Sequence, residues 1–177
     1  MAAENDKSKQ REKTSRDSGQ ALVEFAVGAM LLATIVFAMI DSSRAIFDMQ
    51  VMSFLSGQGS NLASRGTALS DTATAVVNAS ASLNLGSSSG KVIVTSVYNN
   101  NGALSITGQS SLGTLAATSK VGTGVGSSAT LPSNAKPLNS QTVYVTEVFY
   151  SFQAITPMGH LYTKTLLPST LYDVAYY

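Results

Sequence analysis

The chain has 177 residues, of which 44% are hydrophobic and only 12% charged, with a net charge of +1 and no cysteine. That length suits one ordinary domain plus an anchor. The missing cysteines exclude disulfides and thiolate metal sites, and the near-zero charge gives no global pull toward nucleic acid or anionic surfaces. Average soluble domains carry about 25% charged residues; here Ser, Thr, Asn, Gly and Ala fill the deficit, which suits a protein that works outside the cytoplasm.

Residues 1–18 are polar, of mixed charge and without apolar periodicity, so disorder is expected there. Ala21–Ile40 follows, with Glu24 as its sole charge. That run is close to the roughly 20 residues that cross a bilayer as a helix. A removable secretory signal has a shorter apolar core that ends at a small-residue cleavage site. This run instead passes into Asp41-Ser42-Ser43-Arg44 without turn chemistry, as a signal anchor does. Lys and Arg are richer before the run than just after it, which predicts an N-terminus inside and a C-terminus outside. Between Leu31 and Ser56 there is neither Gly nor Pro, and Phe47, Val51, Leu55 and Leu62 keep helical spacing beside Phe54. One long helix from about Gly19 to Ser64 is expected, lipid-facing first and then carrying an apolar stripe toward a soluble domain.

Ser70–Leu85 reads as a second helix, capped by Ser70 or Asp71, with Ala75, Val76, Ala79 and Leu83 as its inner face. Lys91–Tyr98 and Ala103–Thr107 read as strands joined at Asn99-Asn100-Asn101-Gly102. Gly108–Asn139, poor in charge and rich in Gly, Ser and Thr, reads as a long loop. Its Gly122-Thr123-Gly124-Val125-Gly126 lacks the Gly-Lys-Ser/Thr of a phosphate loop. Gln141–Gln153 is a long strand candidate with Val143, Val145, Glu147, Phe149 and Ser151 on one face. A turn at Thr156–Gly159, a strand over His160–Leu167 and a short one over Tyr172–Tyr177 complete the pattern. The sum is an α+β protein: a long N-terminal membrane-spanning helix, a shorter helix and a small, mostly antiparallel sheet, with residues 66–177 forming the outer domain.

The residue that conflicts with its surroundings is Glu24. A carboxylate deep in hydrocarbon costs about 2.5–3.5 kcal/mol, and less near the interface. A snorkelling interfacial acid is one reading. The other supplies a cation: if the chain is cut after Gly19, Gln20 gains an α-amino group four residues from Glu24, or within reach of the Glu24 of a neighbouring helix. Opposite charges in low dielectric attract far more strongly than in water, so Glu24 would pin the register of packed helices.

Gly19-Gln20-Ala21-Leu22-Val23-Glu24-Phe25-Ala26 resembles the processing signature of type IV prepilins and pseudopilins, and within them the TadE-like minor pseudopilins of the tight-adherence (Tad/Flp) pilus machinery. Val143-Tyr144-Val145-Thr146-Glu147-Val148-Phe149-Tyr150 is similar to that family's late V-x-V-T-E-V-x-Y strand. The resemblance implies cleavage between Gly19 and Gln20 by a prepilin peptidase, with Gly19 small enough for the enzyme to approach the backbone. It also implies an inner-membrane helix, a periplasmic domain, and action beside other minor pseudopilins and a major Flp pilin. The sequence departs from many members in having no Pro in the first half of the membrane helix.

Glu147 has two readings: an exposed or locally bridged acid, with Lys164 as the partner across a hairpin, or a contact to a partner subunit, with Tyr150 beside it. His160 is the single histidine and cannot make a metal site alone. The late tyrosines read as packing first and binding surface second. No catalytic set, cofactor, small-molecule or nucleic-acid site is expected. Two alternatives to the pseudopilin stand: an uncleaved single-pass envelope protein whose outer domain binds a ligand or wall component, and an anchored hydrolase. The hydrolase would need Asp71, Glu147, His160 or Asp173 to converge.

Overall fold

The computed structural model describes residues 2–80, 82–157, 159 and 169–177, with side chains from Gly19 onward. Helix α1 spans Ala2–Ser64, 63 residues, or about 95 Å at 1.5 Å rise per residue. It does not begin at Gly19. The leader expected to be disordered continues the helix, and it contains neither Gly nor Pro between Ala2 and Ser18. The other end comes where expected. Gly66 takes φ +91° and donates its N–H to the Ala63 carbonyl at 3.0 Å, a left-handed stop that glycine reaches without strain.

Helix α2 spans Leu69–Ala79, with Ala68 rather than Ser70 or Asp71 at its cap position. It stops short of Leu85 because the Leu83 and Asn84 N–H groups both turn back to the Ser80 carbonyl, at 2.8 and 3.1 Å. Leu83 and Leu85 are buried all the same. The inner face of α2 is Thr72, Ala73 and Val76. Ala75 and Ala79 are exposed, one residue round from where the sequence suggests. With Phe54, Leu55 and Leu62 they line a groove of about 360 Å³ between the two helices.

Strands β1 (Gly90–Asn100), β2 (Ala103–Leu112), β3 (Thr142–Ser151) and β4 (Thr170–Tyr176) form one sheet in the order β2-β1-β3-β4. All pairings are antiparallel. The first hairpin closes on Asn101 (φ 51°) and Gly102 (φ 92°). Two consecutive positive φ values suit the twist of the flanking strands, which is why Asn-Gly is favoured there. The strand expected over His160–Leu167 lies outside the described residues.

Each face of the sheet has its own core. On one, Val92, Val94, Val148 and Leu171 pack against Ala45, Met52, Leu55 and Ala63 of α1 and Ala73 and Val76 of α2. On the other, Val97, Ile106, Val143 and Val145 meet Val121, Ala129 and Leu131. The expected loop is therefore a cover: β2 continues to Leu112, and the following irregular segment, with a single 3-10 turn at Ser133–Ala135, seals the second face.

The buried stripe of α1 also differs from expectation. It runs through Asp41, Ala45, Asp48, Met52, Leu55, Ser56, Ser60 and Ala63. Phe47 and Phe54 are 58% and 65% exposed. The reason is close approach: a Cβ at Gly59 would lie 2.8 Å from the Thr146 side chain and 2.9 Å from that of Val76. An axis that near the sheet admits small residues and short hydroxyls, and large side chains point away.

Candidate functional site

The first candidate is the head of the apolar half of α1. Gly19, Gln20 and Glu24 lie on continuous helix. The helix backbone brings residues four apart onto one face, and Gln20 Nε2 donates to Glu24 Oε1 at 2.9 Å. In the uncleaved chain the carboxylate thus already has a neutral partner. The fold makes no demand for glycine at position 19, since a Cβ there would meet no described atom within 4 Å. On either side of Glu24 the large side chains stand clear of the protein: Leu22, Phe25 and Met30 are 69%, 77% and 71% exposed. An 18-residue window of this helix has a mean hydropathy of 2.3 with none of it buried. A long apolar helix without a protein cover suits membrane anchoring.

Where the helix leaves that apolar run, Asp41 is fully buried. Its Oδ1 accepts the N–H groups of Ile155 (3.0 Å) and Thr156 (3.4 Å), and its Oδ2 accepts Thr156 Oγ1 at 2.6 Å. Further up, Ser56 donates to Asp173. Ser60 enters the ladder itself: its Oγ accepts the Thr146 N–H at 3.1 Å and lies 2.8 Å from the Ala175 carbonyl as donor. Tyr150 is half-buried over Asp48 and Arg44. Burial and the Asp48 charge push its hydroxyl pKa up, with Arg44 opposing.

Glu147 is not on an exposed face. It is fully buried on the second side of the sheet, opposite Ile93 in β1 and Val174 in β4. Its partners are neutral donors: the Ser119 hydroxyl, the Lys120 N–H at 2.8 Å and the Tyr172 hydroxyl at 3.1 Å. Lys120 places its ammonium 3.5 Å from the centroid of the Tyr172 ring. Burial, then the Glu147 charge and the hydrogen bond to it, push the Tyr172 pKa well up. Lys164, the bridge partner suggested by the sequence, lies outside the described residues. The strand alternation that grouped Glu147 with Val143 and Val145 was already the signal for its burial. Ser119 and Lys120 carried no such signal, because an irregular segment has no period to read.

Glu147 and Asp173 do not converge, since they project from opposite faces of the sheet. Asp71 is exposed on α2, and His160 is outside the described residues.

Residues 19–60 match the family model of TadE-like proteins. The match begins at Gly19, takes in Gln20 and Glu24, and stops at Ser60, the hydroxyl inserted in the sheet. It is consistent with a TadE-like protein of tight-adherence (Tad) pilus systems. The Val143–Tyr150 strand falls outside the matched residues. Neither the curated proteins nor the solved structures compared gave a match to the chain. The matched segment thus contains the exposed apolar part of α1 and most of the stripe on which the α+β domain is seated.

Proposed function

We propose that this chain is a TadE-like minor pseudopilin, cut between Gly19 and Gln20 by a prepilin peptidase. Its helix would stay in the inner membrane with the α+β domain in the periplasm. The mature protein would take part in the biogenesis of a tight-adherence (Flp) pilus beside other minor pseudopilins and a major Flp pilin. The observation that carries this reading is the TadE-like match beginning at Gly19, with Glu24 five residues on at the head of an apolar helix. Two features support it. A glycine that the fold does not need at position 19 suits a requirement from an outside enzyme. The Gln20 side-chain amide already lies against the Glu24 carboxylate. Cleavage would add an α-ammonium on the backbone nitrogen of the same residue, and a charged partner in low dielectric binds more strongly than a neutral amide.

A partner contact is proposed for Tyr150, half-buried at the edge of the helix-side core. Glu147 would act on a partner through the segment it holds and not by touching it. The reading is tested by co-expression with a prepilin peptidase and N-terminal sequencing of the membrane-purified protein. Gln20 should become the first residue, and Gly19→Leu should block the cut while leaving the outer domain folded. Glu24→Gln should spare insertion and abolish assembly with sister subunits. A full-length chain persisting beside active peptidase would instead favour the uncleaved envelope protein.

A further inference from the structure

We propose that residues 152–157, which follow β3, rest with Ile155 in the headgroup boundary of the bilayer as a second, shallow membrane contact. The proposal depends on the reading of Ala21–Ile40 as the spanning part of α1. Strand β3 and its continuation descend along α1 toward that part: Thr146 lies beside Ser60, Tyr150 near Asp48, and Ile155 and Thr156 beside Asp41. Asp41 is the first residue past the uncharged run, so the clamp fixes the segment at the level where the helix enters lipid.

The clamp also decides which side chains face out. Thr156 is 9% exposed while Ile155 is 63% exposed, and Met39 and Ile40 of α1 are 65% and 42% exposed at the same level. An isoleucine held outward by hydrogen bonds from its own N–H and from the N–H and hydroxyl of Thr156 to Asp41 is suited to the apolar edge of a bilayer. Asp41 holds Ile155 at the level where the exposed apolar part of α1 ends, so the occupant it fits is lipid.

The chain has no cysteine, so single-cysteine probes can be placed at will. Full-length Ile35→Cys, Ile155→Cys and Leu138→Cys variants would carry an environment-sensitive fluorophore in phosphatidylcholine–phosphatidylglycerol vesicles. The quencher would be attached to the lipid at headgroup depth or in the upper acyl chain. Leu138, 73% exposed between Pro137 and Asn139, which bond to Asn99 and Asn101 at the hairpin end of the sheet, is the water-side control. Quenching at Ile155, with Leu138 unaffected, is the expected result, and adding Asp41→Ala should reduce it while leaving Ile35 quenched. If Ile35 is quenched and Ile155 behaves like Leu138, the shallow contact is wrong and the anchor stands. If neither is quenched, the membrane reading of α1 fails as well. Shielding of Ile155 by added pilus subunits but not by lipid would also overturn the proposal and assign the patch to a protein.

Discussion

The two faces of the sheet are covered by different means. On one, helix α1 comes close enough for Gly59 to touch Thr146 and for the Ser60 hydroxyl to enter the β3–β4 ladder. A helix satisfies its own backbone, so small residues and a few hydroxyls suffice to seat it. On the other face the cover is residues 113–141, with almost no regular structure. Such a cover brings its backbone donors with it, and these need acceptors wherever they are buried. Glu147 supplies one set, accepting the Lys120 N–H and two hydroxyls. Asn99 supplies another acceptor, its carbonyl taking the Ser140 N–H at 2.8 Å, while its side-chain amide donates to the Pro137 carbonyl at 2.8 Å. One side is thus limited by space and the other by hydrogen bonding.

That difference can be broken at three points. Replacing Glu147 with Ala removes the acceptor of three donors, each worth about 1–3 kcal/mol when left buried and unpaired. The outer domain should lose roughly 3 kcal/mol in urea unfolding, with proteolytic cleavage appearing first within 113–141, and Gln at that position should recover part of the loss. Equal cleavage on the helix side would show that Glu147 does not act through the cover. Gly59→Leu is the counterpart on the other face. Overpacking of this kind costs about 1–3 kcal/mol, and here the cover should keep its protease resistance while α1 and α2 loosen against the sheet.

The smallest effect is expected at Tyr172. Tyr172→Phe should cost about 1 kcal/mol at neutral pH for one hydrogen bond. It also changes the pH dependence. Burial and Glu147 raise the hydroxyl pKa in the folded protein, so the native state holds that proton more tightly than the unfolded chain. The resulting stability is complete below about pH 10, the ordinary tyrosine value, and is lost as the pH rises above it. The wild type should therefore weaken more steeply above that pH than the Phe variant. Tyr176, also raised by burial and Glu147, leaves a residual slope in both. Parallel slopes in alkaline melts would remove Tyr172 from the account.

Helix α1 shows what a one-dimensional pattern can and cannot carry. From Ala21 to Ile40 no part of the described protein covers the helix, and an apolar run with one acid is legible from the residues alone. From Asp41 to Ser64 the sequence offers two stripes. Phe47, Val51, Leu55 and Leu62 are the more hydrophobic, yet Phe47 faces out and Leu55 is shared with the polar stripe that is buried. Hydrophobicity alone selects the wrong centre when an axis lies so near a sheet that a glycine marks the contact. In α2 the buried face likewise includes a polar residue, Thr72, beside Ala73 and Val76.

The sequence by itself determined the α+β class, the long helix and its stop at Gly66, the Asn-Gly hairpin and the Gly19–Glu24 motif, because each depends on neighbours within a few residues. The tertiary structure alone decided that Asp41 clamps the segment after β3, that Ser60 joins the ladder and that Glu147 holds the cover. Those contacts join residues 27 to 115 positions apart, and no local period records which buried polar group will meet which donor.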